Sequence, residues 1–175
     1  MSTIDVIKLR RSIRSYQDKP VSDEDVIKIL DAARLAPSGG NRQRWKFIYV
    51  KDPQFLRMIK NSATGFYGDA PCAIVCGLED EATTPGTVGI LDIGFAVENM
   101  SLAAQSLGLG SCAIASFNPS AVKMVIRAPD NFRPVLILSL GYPAKIPEVP
   151  KKKKLSEIVF LNEYGKSWDK LEGQC

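Results

Sequence analysis

The chain has 175 residues, of which 45% are hydrophobic, and its 23 Lys and Arg against 19 Asp and Glu give a net charge of +4. This length is typical of one domain, and so small a net charge does not favour a nucleic-acid-binding protein. Met1 is followed by a polar segment with an early acid, which does not resemble an export signal, so we expect a cytoplasmic protein.

Histidine is absent and there are four cysteines. The lack of histidine removes the commonest general base near neutral pH and the commonest metal ligand. We therefore expect no metal site, and we expect an enzyme of this composition to use a bound cofactor for its chemistry. The cysteine spacing is not that of a disulfide framework or a zinc site. Cys72 and Cys76 are interpreted as buried thiols on one face of a strand.

The first third of the chain predicts two helices and a strand. Ile4 and Ile7 share a face of a short helix over 4–11, which a basic loop follows. Ser22 and Asp25 have capping-box spacing at the start of a second helix, which should end before Pro37. The residues from Ala36 to Arg44 predict a turn-rich loop, and Trp45 to Val50 predict a strand.

The middle of the chain predicts a helix, a strand and a long apolar helix. Asp52-Pro53 begins a helix through about Ser62, and Cys72 to Leu78 form a short apolar strand. From about Val88 to Leu107 the chain is apolar on nearly every face, which predicts a helix buried all round. Because so small a domain can rarely enclose such a helix, we expect a second copy to cover part of it.

The long uncharged run from Asn99 to Val122 contains polar residues and glycine or proline breaks, so we expect a buried segment and no membrane partner. Gly108-Leu109-Gly110 should end the long helix. A strand over 112–115, a helix from Asn118-Pro119 and an apolar strand over 134–141 follow. Strands separated by helices predict an α/β or α+β sandwich with helices on a central sheet, as one domain.

Two polar segments carry candidate chemistry. Arg10, Arg11 and Arg14 with Ser12 supply guanidinium forks and a hydroxyl, which suit a phosphate. In the loop over 37–43, glycines permit close backbone approach to a ligand, and amide side chains supply donors and acceptors for a flat heterocycle. Alone, each segment also fits an ordinary solvated patch or surface turn.

The two segments together resemble the FMN-dependent nitroreductases. That family opens with a doubled basic residue, Ser, another basic residue and an aromatic, which here is Arg10-Arg11-Ser12-Ile13-Arg14-Ser15-Tyr16. Its second signature matches Ala36-Pro37-Ser38 followed by Asn41, Gln43 and Trp45. Further similar stretches are Ala70-Pro71, Gly108-Leu109-Gly110-Ser111-Cys112, Leu140-Gly141-Tyr142-Pro143 and Leu155-Ser156-Glu157-Ile158-Val159. The resemblance therefore spans almost the whole chain.

This resemblance implies an α+β fold, a three-layer α/β/α sandwich with a mixed, mainly antiparallel sheet. It also implies a domain-swapped homodimer that builds two FMN sites at its interface. Residues 1–175 would form a single FMN-binding domain, with a C-terminal extension from about 144 to 175.

The resemblance also implies roles for individual residues. Arg10, Arg11 and Ser12 would hold the FMN phosphate and ribityl chain, with Arg14 near the pyrimidine edge, where a cation stabilises negative charge on reduction. Lys152 and Lys153 align with further phosphate contacts, although a solvated tail remains open. The loop contacts to flavin, from the other subunit, would come from Pro37, Ser38, Gly39, Asn41 and Gln43.

The flavin N5 edge would lie beside the backbone of Ala113, Ile114, Ala115 and Ser116, where a backbone N–H would orient N5. We expect no catalytic side chain. Several relatives have Glu where this chain has Ala115, which leaves more room over the ring. Arg44 replaces the family's usual proline before Trp45 and is able to present a cation to substrate.

The function implied is a ping-pong oxidoreductase in which NAD(P)H gives hydride to FMN N5 and a nitroaromatic, quinone or similar small molecule takes the electrons. Water can supply the protons. One alternative is a specialised member of the same superfamily, such as a reductive dehalogenase, for which the stretch from Glu79 to Thr87 is the candidate lid. Others are a non-catalytic flavin-binding redox protein and a basic anion-binding or nucleic-acid-binding module.

Overall fold

Five α-helices and four strands form the part of the chain that the structure, a computed structural model, describes: residues 2–79 and 86–171. They are α1 (Thr3–Leu9), α2 (Asp23–Arg34), β1 (Trp45–Val50), α3 (Pro53–Asn61), β2 (Cys72–Glu79), α4 (Gly86–Ser106), β3 (Gly110–Ile114), α5 (Pro119–Val125) and β4 (Phe132–Gly141). The predicted elements are confirmed in type and order. Most of the candidate lid and Cys175 lie outside the described residues.

Side-chain oxygens begin the helices as their sequences predict. Ser22 Oγ accepts a hydrogen bond from the Asp25 N–H at 3.1 Å, which caps α2. The reciprocal capping box forms instead at α1, between Ser2 and Asp5. The Asp52 carboxylate accepts hydrogen bonds from two free backbone N–H groups at the start of α3. A proline occupies the first helical position, where a backbone N–H would have no partner within the helix. Caps of this kind each stabilise a helix by about 1 kcal/mol.

The four strands form one sheet in the order β1-β2-β4-β3, and every pair of neighbours is antiparallel. The α+β fold class is confirmed. The expected mixed character is limited to an isolated parallel bridge between Ser12 and Ser111, at the outer edge of β3. Because this bridge joins the segment after α1 to the sheet, it fixes where the basic residues lie.

Helices cover both faces of the sheet, which makes three layers. Alternate residues of β2 enter two separate cores: Cys72, Ile74, Cys76 and Leu78 pack with α2 and α4, whereas Ala73 and Val75 pack with α3 and α5. The two-residue period of a strand explains this division. The prediction that Cys72 and Cys76 are free buried thiols on one face is confirmed.

Helix α4 ends as predicted, but it is not buried on all sides within one chain. Gly108 has a φ of +75°, and the Leu109 N–H donates to the Ala104 carbonyl at 2.9 Å, which is a Schellman ending. Near the other end, Val88 and Phe95 are 51% and 50% exposed. Within one chain only one face of α4 packs on the sheet, and burial of the exposed face by a second copy stays a prediction. No described helix is sufficiently long and apolar to span a bilayer.

Beyond β4, the chain continues as a tail over 144–171 that lies mostly exposed. Among its described residues the regular structure is two 3₁₀ turns, Leu155–Glu157 and Asp169–Leu171. Several large apolar side chains of this tail are exposed, for example Ile146 and Val149 at 69% each. The beginning of the tail returns to the end of α1, where the candidate site lies.

Candidate functional site

An open cavity of about 560 Å³ lies beside the C-terminal end of α1. This volume falls in the range of roughly 300–1,000 Å³ found for small-molecule sites. Five predicted contact residues line it: Arg10, Arg11, Ser12, Arg14 and Lys152. The other lining residues are Ile7, Lys8, Pro147, Glu148, Val149 and Pro150. Lys153 is exposed and is not among the lining residues, so its predicted phosphate contact stays a prediction.

The stretch over 10–14, the arginine segment, is held by bonds that leave other guanidinium donors available. Arg11 Nη1 donates to the carbonyls of Lys8 and Arg10, both at 2.7 Å, where α1 leaves carbonyls unpaired. Arg10 Nε lies 3.3 Å from Glu98 Oε1 on α4. Since each guanidinium has five N–H donors, the two side chains are oriented and still able to bind an anion.

The arginine segment is also attached to the sheet. The Ile13 N–H donates to the Ser111 carbonyl at 2.9 Å. The Tyr16 hydroxyl donates to the Ile13 carbonyl at 2.7 Å and lies 2.8 Å from Ser139 Oγ. Burial raises the pKa of Tyr16 well above its ordinary value, so this hydroxyl stays protonated and keeps its donor. Tyr16 thus fixes the segment from within the core.

The loop over 37–43, the amide loop, is a strained turn with internal hydrogen bonds. Gly40, Asn41 and Gln43 have φ values of +59°, +54° and +49°, a region that favours glycine and tolerates asparagine. The Gln43 N–H donates to Ser38 Oγ at 3.1 Å, and Gln43 Nε2 donates to Asn41 Oδ1 at 3.0 Å. The Asn41 amide nitrogen and the Gln43 amide oxygen remain available to a ligand.

The amide loop packs against the N-terminal half of α4, and none of its residues lines the arginine cavity. Gly39 donates its N–H to Asp92 Oδ1 at 3.1 Å, and a Cβ on Gly39 would lie 2.7 Å from Val88 Cγ1. Pro37, at the start of the loop, is exposed. Next to the loop, the Arg44 carbonyl accepts from the Glu79 N–H at 3.1 Å. The two predicted halves of the site are therefore not brought together within one chain.

The end of β3 places the predicted backbone near the arginine segment. Its pairing with β4 ends at Ile114, so Ala115 and Ser116 lie beyond the paired strand and both are exposed. Ala115 is four residues from Ser111, about 13 Å along a strand. Ala113 is also exposed, whereas Ile114 is 3% exposed, so only its backbone is accessible to a ligand.

The charges at the cavity fit a phosphorylated ligand. Lys8, Arg10, Arg11, Arg14 and Lys152 carry five positive charges against one lining carboxylate, that of Glu148. A dianionic phosphate is the kind of group that clustered guanidinium forks bind. Among the described residues, no group of side chains could hold a metal ion. The residues present therefore fit the phosphate end of FMN.

Sequence reasoning gave no role to Asp92 or Glu98. Both are polar interruptions of the apolar helix α4, and each holds one of the two candidate segments. Their polarity within an apolar helix could have marked them as functional. Their partners could not be predicted, because these lie far away in the chain. The tail residues Pro147 to Pro150 also carried no chemical signal, and they line the cavity because the tail crosses it.

The fold and the cavity define an α+β domain able to bind a phosphorylated small molecule, and the comparisons give its family. The model of the nitroreductase family matches residues 7–66 and 58–142. An Archaeoglobus fulgidus protein, whose name proposes NADH dehydrogenase or NAD(P)H nitroreductase activity, is 39% identical over 79% of this chain and 83% of its own. The FMN reductase [NAD(P)H] of Bacillus subtilis is 31% identical over 87% and 72%.

Solved structures agree with these relatives. An FMN-dependent nitroreductase from Clostridium difficile is similar with a TM-score of 0.83 and 32% identity, covering 92% of this chain and 99% of that one. The chain therefore belongs to the nitroreductase family, and the family predicted from its motifs is confirmed.

Proposed function

We propose that this protein is an NAD(P)H-dependent FMN oxidoreductase that passes electrons to nitroaromatics, quinones or similar acceptors in a ping-pong reaction. The observation that carries the proposal is the convergence of Arg10, Arg11, Arg14 and Lys152 on one cavity beside the C-terminal end of α1. Relatives named FMN reductase and FMN-dependent nitroreductase support FMN as the cofactor and NAD(P)H as the donor.

In this proposal Arg10, Arg11 and Lys152 hold the phosphate, and Lys153 adds charge nearby. Ser12 binds the ribityl chain, and Arg14 lies at the pyrimidine edge, where a cation favours the reduced cofactor. Backbone of Ala113, Ile114, Ala115 and Ser116 borders N5. FMN, when bound, supplies the redox chemistry by accepting hydride from NAD(P)H at N5 and giving two electrons to the acceptor.

Substrate access follows from small side chains at the strand end. Ala113 and Ala115 are exposed there, so little side-chain volume covers the region assigned to N5. The sequence has no histidine, and we propose that water supplies the protons to the acceptor. A site with this much space and no dedicated proton donor is expected to accept flat acceptors of several kinds.

The proposed active unit is a homodimer. Exposed apolar residues occur on α1 and α4, with Ile7 at 49%, Leu91 at 56% and Phe95 at 50% exposure. A second copy packed on this face would bury them, which is the main driving force for association. It would also bring a partner's amide loop to the arginine segment, from which the loop is separate in one chain. We place this dimer in the cytoplasm.

The test is reconstitution of the purified protein with FMN, followed by anaerobic reduction with NADH and with NADPH, and then turnover with menadione. We expect bleaching of bound flavin within the dead time of hand mixing, and parallel double-reciprocal plots when donor and acceptor are varied. Flavin that binds without being reduced indicates a non-catalytic flavin protein. A colourless protein that takes up no FMN contradicts the proposal altogether.

A further inference from the structure

A buried carboxylate on α4 has no role in the proposed reaction. Asp92 is 6% exposed in a helix whose neighbouring buried residues, Ile93 and Ala96, are apolar. Burying a charged group is costly unless hydrogen bonds compensate for the lost water. The partner that the structure gives Asp92 is the backbone N–H of Gly39, 53 residues earlier in the chain, at 3.1 Å.

This contact lies at the base of the amide loop. Gly39 lacks a side chain, which allows the loop backbone to lie against α4, because a Cβ would be 2.7 Å from Val88 Cγ1. Val88 lies one helical turn before Asp92, so one face of α4 supplies both the apolar contact and the acceptor. The loop is thus anchored to a rigid element of the core.

The amide loop needs such an anchor because its backbone is strained. Three of its residues have positive φ, and two of these, Asn41 and Gln43, are not glycine. Backbone in this region persists only when surrounding contacts determine it. The internal bonds from Gln43 to Ser38 and Asn41 join parts of the loop to each other but not to the core. The Asp92 carboxylate supplies the connection to the core.

We propose that Asp92 is a positioning residue that holds the amide loop in its ligand-binding conformation before the cofactor arrives. This inference rests on the proposed role of the loop in contacting flavin. A hydrogen bond to a carboxylate is stronger than one to a neutral acceptor, which suits a contact that must hold a strained turn. Without it the loop populates other conformations, and apparent affinity for FMN falls in proportion to the fraction that remains competent.

The first measurement uses no flavin. Hydrogen exchange of the Gly39 amide in the apoprotein should be at least about tenfold slower than that of Gly40 in the same turn, because the Gly39 N–H is bonded to a buried acceptor. In Asp92→Ala this protection is expected to disappear. Equal exchange of the two amides in the unmodified protein overturns the proposal, and it does so even if the variant fails to fold.

The second measurement is the FMN dissociation constant from quenching of flavin fluorescence. Asp92→Ala should raise Kd about tenfold, the value expected if one tenth of the loop population stays competent. Asp92→Asn retains an acceptor oxygen and should restore Kd to within about threefold of the original. The matched control is Ser101→Ala, since Ser101 is buried in the same helix and its hydroxyl donates to the Val97 carbonyl of that helix.

The outcomes separate this inference from the proposed function. Lost Gly39 protection together with weaker FMN binding, both restored by Asn, supports the role of Asp92. Lost protection with unchanged Kd overturns it, because the loop position then has no effect on binding. Equal effects of Asp92→Ala and Ser101→Ala also overturn it. If the unmodified protein shows Gly39 protection but binds no FMN, the result contradicts the proposed function itself, and with it the role of Asp92 in FMN binding.

Discussion

The arginine segment and the amide loop both contact α4, but they are fixed in different ways. The arginine segment is attached to the sheet through Tyr16 and the bond from Ile13 to Ser111, and it offers flexible charged side chains. The amide loop offers backbone and short amide groups in a strained turn anchored at Gly39. Charge suits capture of a phosphate, whereas a rigid turn suits a flat ring that needs fixed donors and acceptors.

Because the arginine segment and the amide loop are fixed differently, substitutions in them should have different effects. Loss of a cation should weaken binding of an anion more than it changes stability, because the arginines line the cavity and are not members of either hydrophobic core. Loss of loop geometry should change both stability and binding, because hydrogen bonds within the loop and to Asp92 hold the strained backbone. Because the amide loop does not line the arginine cavity of its own chain, the proposed FMN site needs a second copy to bring the two together.

The largest expected effect comes from separating the two copies. Phe95→Glu places a charge on the exposed apolar face of α4, and burying that charge at an interface is strongly unfavourable. We expect a monomer by light scattering, self-association weakened about a hundredfold or more, and no FMN retained on gel filtration. Ile27→Glu is the control, because Ile27 is 64% exposed but lies on α2 and not on α1 or α4. A dimeric Phe95→Glu protein that retains FMN contradicts the account.

The next effect concerns the arginine segment. Arg10→Ala removes a guanidinium from the cavity, and a hydrogen bond to a charged group contributes about 1.5–3 kcal/mol. We expect FMN to bind about tenfold to a hundredfold more weakly by equilibrium dialysis. Arg34→Ala is the matched control, since Arg34 is also paired with a carboxylate, that of Asp31, but lies on α2. Equal FMN affinities in the two variants would count against the phosphate assignment.

A smaller effect is expected from straining the amide loop. Gly40→Ala places a side chain at a φ of +59°, which costs about 1–2 kcal/mol. Thermal unfolding should therefore occur about 2–8 °C lower, and FMN should bind more weakly. Gly165→Ala has a similar strain, at a φ of +88°, but lies in the tail. The account requires both variants to lose stability and only Gly40→Ala to lose FMN affinity.

The smallest effect tests the internal anchor of the arginine segment. Because burial raises the pKa of Tyr16 above its ordinary value of 10.0, the folded protein retains this proton at pH values where the unfolded chain loses it. Its contribution to the free energy of unfolding is thus complete below pH 10 and is lost as pH rises further. In urea unfolding, Tyr16→Phe should cost about 1 kcal/mol at pH 8. It should also show a shallower decline above pH 10; an unchanged decline would argue against this role.

Much of the fold could be predicted because its signals are local. The Ser22 cap, the glycine at the end of α4 and the alternation along β2 each depend on residues close together in sequence. The cavity residues Arg10, Arg11, Ser12 and Arg14 were predictable from their motif, because a short stretch of chain already places its cations together.

Other features could not be predicted because they depend on how distant elements meet. Asp92 and Gly39 are 53 residues apart, and nothing near either residue indicates the pairing. The passage of the tail over the cavity likewise depends on where β4 ends in the folded chain, which the sequence of the tail does not indicate. The hydrophobicity of α4 on all sides predicted that a second copy covers part of it, but it did not say which face packs within the chain.

The central claim is that each FMN site uses the arginine segment of one copy and the amide loop of the other. We would co-express two differently tagged chains, Arg10→Ala and Gly40→Ala, isolate the mixed dimer, and titrate it with FMN. Sites shared between copies predict one site of unaltered affinity per mixed dimer, because one of its two sites carries both substitutions and the other carries neither. Two weakened sites and no unaltered one would contradict the claim.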